Sequence, residues 1–260
     1  WILADMRELL DFALFTIEFA KNDVLPKYLD TIKTLGVINT GFIGTVAGDG
    51  ALALYDGNLR LMRPDGTDAR ELVNRKKLWE LTPNRDEFTP EDVRLGNTKW
   101  HPDSDHLLIT MWVYPKPGSR RSLYVIRKDG SEARWLGYFN NHHSWTPSGD
   151  AVLCNDHKFF GPDGERRDMR LFLLPFDGGE RKMVIDEPVG SHPLMHADGN
   201  RIVDFDREGI VLVHIDEQRV ERLAKFDGDF AKTHKGTHAH PVWSRDGKEV
   251  LYNSAETGLS

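Results

Sequence analysis

From about Gly41 onward, apolar and polar residues alternate in short runs separated by Asp-Gly and Ser-Gly turns, the period-two pattern of β-strands. One unit, an apolar strand, a turn and a second strand, occurs at 98–113, 144–156, 194–206 and 242–254. A companion unit of the same kind occurs at 59–73, 123–137, 171–185 and 210–224, with a shorter copy of the first at 44–57. Aligning the turns at Ser104, Gly149, Gly199 and Gly247 gives spacings of 45, 50 and 48 residues. Ahead of the repeats the period changes. Residues 5–36 read as two amphipathic helices: Asp5 with Glu8 forms a capping box, and Met6, Leu10, Ala13, Leu14 and Ile17 recur at helical spacing. Pro26 suits a first turn, Leu29, Ile32 and Leu35 continue one face, and Gly36 suits the stop.

A repeat of this length with four strands per copy predicts an all-β fold, a β-propeller, because a single copy cannot bury both its faces and must stack on its neighbours. About 4.5 blades are visible over residues 41–260, preceded by a helical lead over 1–40. A closed ring usually needs more blades, so the chain is read as part of a ring, an open arc, or a ring with an irregular remainder.

Composition narrows the chemistry. The net charge of −7 excludes the basic footprint that nucleic acid requires, so no nucleic-acid partner is expected. Cys154 is the only cysteine, which rules out an internal disulfide. No run has the length and apolarity of a membrane span, and none resembles a signal peptide. A cytoplasmic location is the default expectation, or a periplasmic one if a leader has been removed.

Histidine carries the candidate chemistry. The position seven before each aligned turn holds Asn97, His142, His192 and His240, and His238 lies two residues before the last. In a propeller, equivalent positions of successive repeats form a ring at one depth, so these side chains should converge at one mouth of the channel. Converging neutral imidazoles suit Mn²⁺, Zn²⁺ or another borderline divalent ion. His101, His106, His143, His157, His196, His214 and His234 are assigned structural or exposed roles, and Trp100, Trp145 and Trp243 blade packing. Lys235 is a cation beside the proposed ligands, placed either to meet an anionic group or simply to be solvated.

Thr237-His238-Ala239-His240-Pro241, followed by a hairpin and Asn253-Ser254-Ala255-Glu256-Thr257-Gly258, resembles the last blade of the oligogalacturonate lyases. Ser191-His192-Pro193 and Asn141-His142 resemble the two preceding blades, and Leu95-Gly96-Asn97 falls where that family has Leu-Gly-His. The resemblance implies a seven-bladed ring. It also implies a Mn²⁺-type ion held at His142, His238 and His240, and pectin-type oligosaccharides cleaved by β-elimination. Arg60 falls near an arginine that the family uses at its substrate. Two positions depart from the pattern: Lys235 stands at the family's glutamine ligand, and Asn97 at its histidine base. A lyase of this kind would draw its base from His192, His143 or Lys235.

Two functions are therefore carried forward. One is a metal-dependent lyase on an acidic, uronate-containing oligosaccharide, with His142, His192, His238 and His240 as candidate ligands and Arg60, His192 and Lys235 as candidate catalytic residues. The other is a non-catalytic propeller, similar to TolB-type repeat domains, that binds a protein or a glycan. A hydrolase finds no nucleophile elbow and no readable carboxylate pair in the sequence.

Overall fold

A computed structural model describes residues 42–46, 52–55, 58–62, 68–83, 85–113, 121–139, 142–158, 167–189, 192–206, 208–226 and 239–254. The helices expected over 5–36 lie outside these residues, as do Lys235 and His238. The chain divides into two compact units, one up to Leu136 and the other from Gly137.

The first unit carries two antiparallel meanders. One is β1 (Phe42–Val46), β2 (Leu52–Tyr55), β3 (Asn58–Met62) and β4 (Arg70–Asn74). The other is β5 (Val93–Trp100), β6 (His106–Val113), β7 (Arg121–Arg127) and β8 (Arg134–Phe139), whose last strand crosses the division. The second unit repeats the plan with β9 (His143–Trp145), β10 (Ala151–Lys158), β11 (Arg167–Pro175) and β12 (Lys182–Met183). It does so again with β13 (Leu194–Met195), β14 (Arg201–Phe205), β15 (Gly209–His214) and β16 (Arg219–Lys225), and adds the pair β17 (Val242–Trp243) and β18 (Val250–Leu251). The architecture among the described residues is thus mostly β, a series of four-stranded antiparallel sheets laid out in sequence order.

Burial explains why the middle strands read as continuous apolar runs. Every residue from Leu107 to Met111 and from Ser122 to Ile126 is buried, as it must be in a strand covered on both faces. The last strand of a sheet meets solvent, so β16 alternates exposed and half-buried residues along its whole length. In the first unit Leu59, Leu78, Val93, Leu107, Ile109, Tyr124 and Ile126 are fully buried in one cluster. In the second, Leu153, Leu171, Ile202 and Val213 play that part. Each such side chain contributes about 1.5–3 kcal/mol by leaving water.

The turns that align the repeats are equivalent in conformation as well as in sequence. Gly149, Gly199 and Gly247 have φ of 75°, 73° and 70°, and their N–H groups donate to the carbonyls of Thr146, His196 and Ser244 at 3.0, 3.0 and 2.9 Å. A left-handed residue at this point of the turn is what glycine supplies without steric cost. At Gly247 there is a second reason, since a Cβ there would overlap the His196 ring. His196 and its counterpart His101 accept, at Nδ1, the N–H two residues on, of Asp198 and Asp103. His214 pairs with Glu221 at 3.1 Å, so these three histidines hold turns and strand edges.

The apolar pattern does not predict α1 (Arg75–Leu81), the one α-helix among the described residues. The Asn74 side chain accepts the Lys77 N–H at 2.9 Å and caps it. Leu78 sinks into the first core cluster, and the Trp79 indole donates to the Phe88 carbonyl at 2.8 Å. The helix spans only two turns, too short for apolar periodicity to reveal it.

Asp206 ties the β14–β15 connection. Burial pushes its carboxyl up, but the hydrogen bonds and charge of Arg222, with the N–H groups of Glu208 and Gly209, outweigh that and hold it below the ordinary value of 3.8. Arg222 reaches both oxygens, at 2.8 and 2.7 Å. A carboxyl depressed on folding stabilises the fold above its unfolded value and loses that contribution as pH falls through its folded one. Asp206→Asn should therefore melt lower than the parent at pH 7, with the difference closing as the protein is taken well below pH 3.8. Equal melting temperatures at neutral pH would show that the pair contributes nothing.

Candidate functional site

Three of the residues at the repeat position come together in the second unit. His142 immediately precedes β9, and His192 and His240 each lie two residues before the first strand of their sheets, β13 and β17. The rings of His142 and His192 have centroids 3.5 Å apart, and those of His192 and His240 are 4.0 Å apart. His192 is therefore the middle member, 8% exposed, and its other neighbour is the Phe205 ring, stacked at 5.5 Å with an interplanar angle of 12°. Three successive sheets each deliver one imidazole because each repeats the same seven-residue offset between its histidine and its glycine turn.

The backbone at His240 is unusual. Its φ is 41°, in a region that side-chain-bearing residues enter at a cost of roughly 1–3 kcal/mol, and it precedes Pro241, which restricts it further. The strain is held in place by its surroundings: Ala239 is fully buried, and its carbonyl accepts the Asn253 N–H at 2.7 Å. Such strain persists only where neighbouring structure over-determines it, and it concentrates at functional sites.

Beside the trio lies a residue that the repeat pattern does not mark. Asp204 on β14 is fully buried, and its Oδ1 accepts the backbone N–H groups of His192 at 2.8 Å and Phe205 at 2.7 Å. The signal is present in the sequence as an acid between the apolar Val203 and Phe205, where it passes for ordinary strand alternation.

Whether the trio fits a divalent ion can be asked of the geometry. The donors fit in kind, since neutral imidazole nitrogens suit Mn²⁺ and Zn²⁺. Their arrangement does not: ligands roughly 2 Å from a shared ion keep ring centroids about 4.5 Å or more apart, whereas these rings pack directly against one another. Accordingly, no group of His, Cys, Asp or Glu among the described residues is arranged as a metal-binding set. Coordination would require the rings to turn apart.

The other candidates are placed as follows. Arg60 lies on β3 in the first unit, opposite Leu54 and Glu71. Asn97, also in the first unit, is exposed at an irregularity of β5 between Gly96 and Lys99, with φ of 47°. His143 is 4% exposed on β9 and meets the Phe139 ring edge-on at 5.1 Å. Trp243 donates to the Leu194 carbonyl at 3.1 Å and packs on its neighbouring sheet, as blade packing requires. No helix among the described residues is long and apolar enough to cross a membrane.

No family model matches the chain. It is 44% identical over 70 residues, 25% of its length, to a subunit of the vhu F420-non-reducing hydrogenase of Methanocaldococcus jannaschii. It is 25% identical over 207 residues, 74% of its length, to the uncharacterized peptidase YuxL of Bacillus subtilis. The chain spans only 16% of the first protein and 28% of the second. Among solved structures, an oligogalacturonate lyase in complex with manganese superposes with a TM-score of 0.50 at 16% identity, over 83% of this chain and 73% of the other. A prolyl endopeptidase superposes with a TM-score of 0.51 at 11% identity, over 86% of this chain and 35% of the other. At these identities the likeness is one of fold, and the fold is propeller-like, of the kind found in oligogalacturonate lyase.

Proposed function

We propose that the protein is a metal-dependent lyase that cleaves uronate-containing, oligogalacturonide-like oligosaccharides by β-elimination, on a seven-bladed propeller. The observation that carries this reading is the meeting of His142, His192 and His240 from three successive sheets, on a fold like that of an oligogalacturonate lyase in complex with manganese. His142, His192, His238 and His240 would hold the ion, Mn²⁺ first and Zn²⁺ second, only once the rings of the trio have turned apart from their present packing. A bound ion would supply positive charge to neutralise the uronate carboxylate, without which the adjacent C–H is poorly acidic.

The remaining work falls to the chain's own groups. Arg60 is assigned to binding the carboxylate of the substrate, as a planar donor suited to it. His192 or Lys235 takes the proton from the carbon next to that carboxylate, and the 4-linked oxygen leaves as the new double bond forms. His192 cannot be ligand and base at once, so Lys235 is the base if all four histidines bind the ion. Asn97 cannot fill that role, having no basic nitrogen.

A second reading is favoured by the close-packed rings and by Asn97: a non-catalytic, TolB-like propeller that binds a protein or glycan. The similarity to YuxL and to a prolyl endopeptidase would be met in the same way, by a propeller that serves a larger enzyme; no Gly-x-Ser-x-Gly motif occurs in the 260 residues.

One assay separates the two. Oligogalacturonides incubated with the protein and Mn²⁺ should gain the ultraviolet absorbance of an unsaturated uronate, and lose that gain when the ion is chelated. No absorbance with any uronate polymer would leave the binding module.

A further inference from the structure

We propose that Trp112, with Arg94 and Arg121 on either side of it, forms a binding subsite for a uronate: the indole carries the sugar ring and the guanidinium groups take its carboxylate. The inference rests on reading the substrate as a uronate-containing oligosaccharide. It adds three residues of the first unit that neither the repeat spacing nor the family resemblance marks.

The strand register sets the three in one row. Arg94 on β5 is paired with Trp112 on β6. On the other side of β6, Thr110 faces Leu123 and Met111 faces Ser122, so the same register brings Arg121, the first residue of β7, opposite Trp112. Directly opposed residues of an antiparallel pair share a face, with Cβ atoms about 4.5–5.5 Å apart. The alternate positions Val93, Leu95, Met111 and Val113 are buried, so the other face carries the core. In the row itself Arg94 is exposed, and Trp112 and Arg121 are half-buried.

Gly96 gives the indole its place. A Cβ there would lie 2.5 and 2.8 Å from Cη2 and Cζ3 of the Trp112 ring, so the ring fills the space that a side chain would need. Asn97, exposed, follows it and is this sheet's counterpart of the positions that hold His142, His192 and His240 in the later sheets.

The charges suit an anion. Arg94 donates to two backbone carbonyls, of Glu91 at 2.9 Å and of Val93 at 3.0 Å, which orient its guanidinium without neutralising it. Burial pushes the Arg121 guanidinium below its ordinary value, so a carboxylate that replaces the lost hydration is favoured there. With a net charge of −7, the chain draws an acidic ligand only through a local basic site of this kind. A guanidinium meets a carboxylate through paired N–H donors, and an indole offers flat apolar area, which matches the C–H face of a sugar ring. A uronate presents both features; a bare anion would leave the indole unused, and a neutral sugar the arginines.

The test uses the full chain with excess chelator, so that no metal takes part, and trigalacturonate as probe against neutral galactotriose. Isothermal titration gives the affinities, and circular dichroism checks the folding of each variant. NMR of ¹⁵N-labelled protein follows the indole N–H of Trp112 and the Nε–H of Arg94 and Arg121. Trigalacturonate should shift all three resonances, and galactotriose should leave the arginines unmoved. Arg94→Gln should weaken trigalacturonate binding by about tenfold or more, as the loss of a charged hydrogen bond does. Gly96→Ala, which displaces the ring, should weaken it by about three- to tenfold. Parent affinity in both variants, or a bound trimer that leaves Trp112 unmoved, would overturn the subsite and leave the lyase reading standing.

The converse is separable. If the trimer moves Trp112 and the arginines but no unsaturated product forms with Mn²⁺, the subsite stands and the lyase fails. If trigalacturonate does not bind, trimers of mannuronate and of glucuronate take its place. Shifts at the same three residues with either keep the subsite and change the substrate, and no shift with any of the three trimers overturns it. If the variants do not fold, the resonances of the parent decide by the same criterion.

Discussion

Replacing His142 and His240 together with Ala should abolish the Mn²⁺ binding proposed for the trio. Both side chains touch His192 and come from different sheets, so the double variant removes two of the four proposed ligands and leaves only His192 and His238. The fold should survive. His142 and His240 are both half-buried rather than core residues, and His240→Ala leaves Pro241 and the Asn253 bond to Ala239 in place. Isothermal titration with Mn²⁺, with circular dichroism as the check on folding, measures the outcome. A folded double variant that still binds one ion per chain would place the cation elsewhere, and with it the lyase reading of this pocket.

Gly209→Ala should be the most damaging small substitution among the described glycines of the second unit. A Cβ at that position would overlap the carbonyl oxygen of Ala224 and lie 2.8 Å from its carbonyl carbon, and neither atom belongs to a flexible side chain. The strand cannot slide away, because Gly209 pairs with Lys225 and Ile210 with Ala224 in the β15–β16 ladder. The Gly209 N–H is also held by Asp206 at 3.0 Å. The expected loss is about 3 kcal/mol or more, which for a unit of this size lowers the melting temperature by about 10 °C. Gly199→Ala is the comparison: its φ is 73° but nothing lies within 4 Å of the added Cβ, so it should cost only about 1 kcal/mol of backbone strain. If Gly209→Ala melts no lower than Gly199→Ala, the ladder yields more readily than its geometry implies.

Much of the strand order is legible because each repeat carries its own punctuation. Asp-Gly and Ser-Gly at the turns, apolar residues on either side and a constant offset between them are local features, and the strands fall where those features put them. The equivalence of Gly149, Gly199 and Gly247, all left-handed with the same N–H bond, follows from one sequence motif read three times. The helix Arg75–Leu81 is not legible. Its capping Asn74 and buried Leu78 make a pattern too short to stand out from a loop.

The histidines divide along the same line. That residues 142, 192 and 240 occupy one repeat position can be counted in the chain, because register is a property of sequence spacing. How their rings meet cannot be counted. They pack directly on one another, and this depends on neighbours distant in sequence, such as the Phe205 ring stacked on His192. The sequence by itself determined the β-repeat, its turns and the position that collects imidazoles, since strands and turns answer to nearest neighbours along the chain. Only the tertiary structure decided which of those imidazoles touch, the strained φ of 41° at His240 and the buried carboxylate behind them, because each arises from contacts between strands that sequence distance does not record.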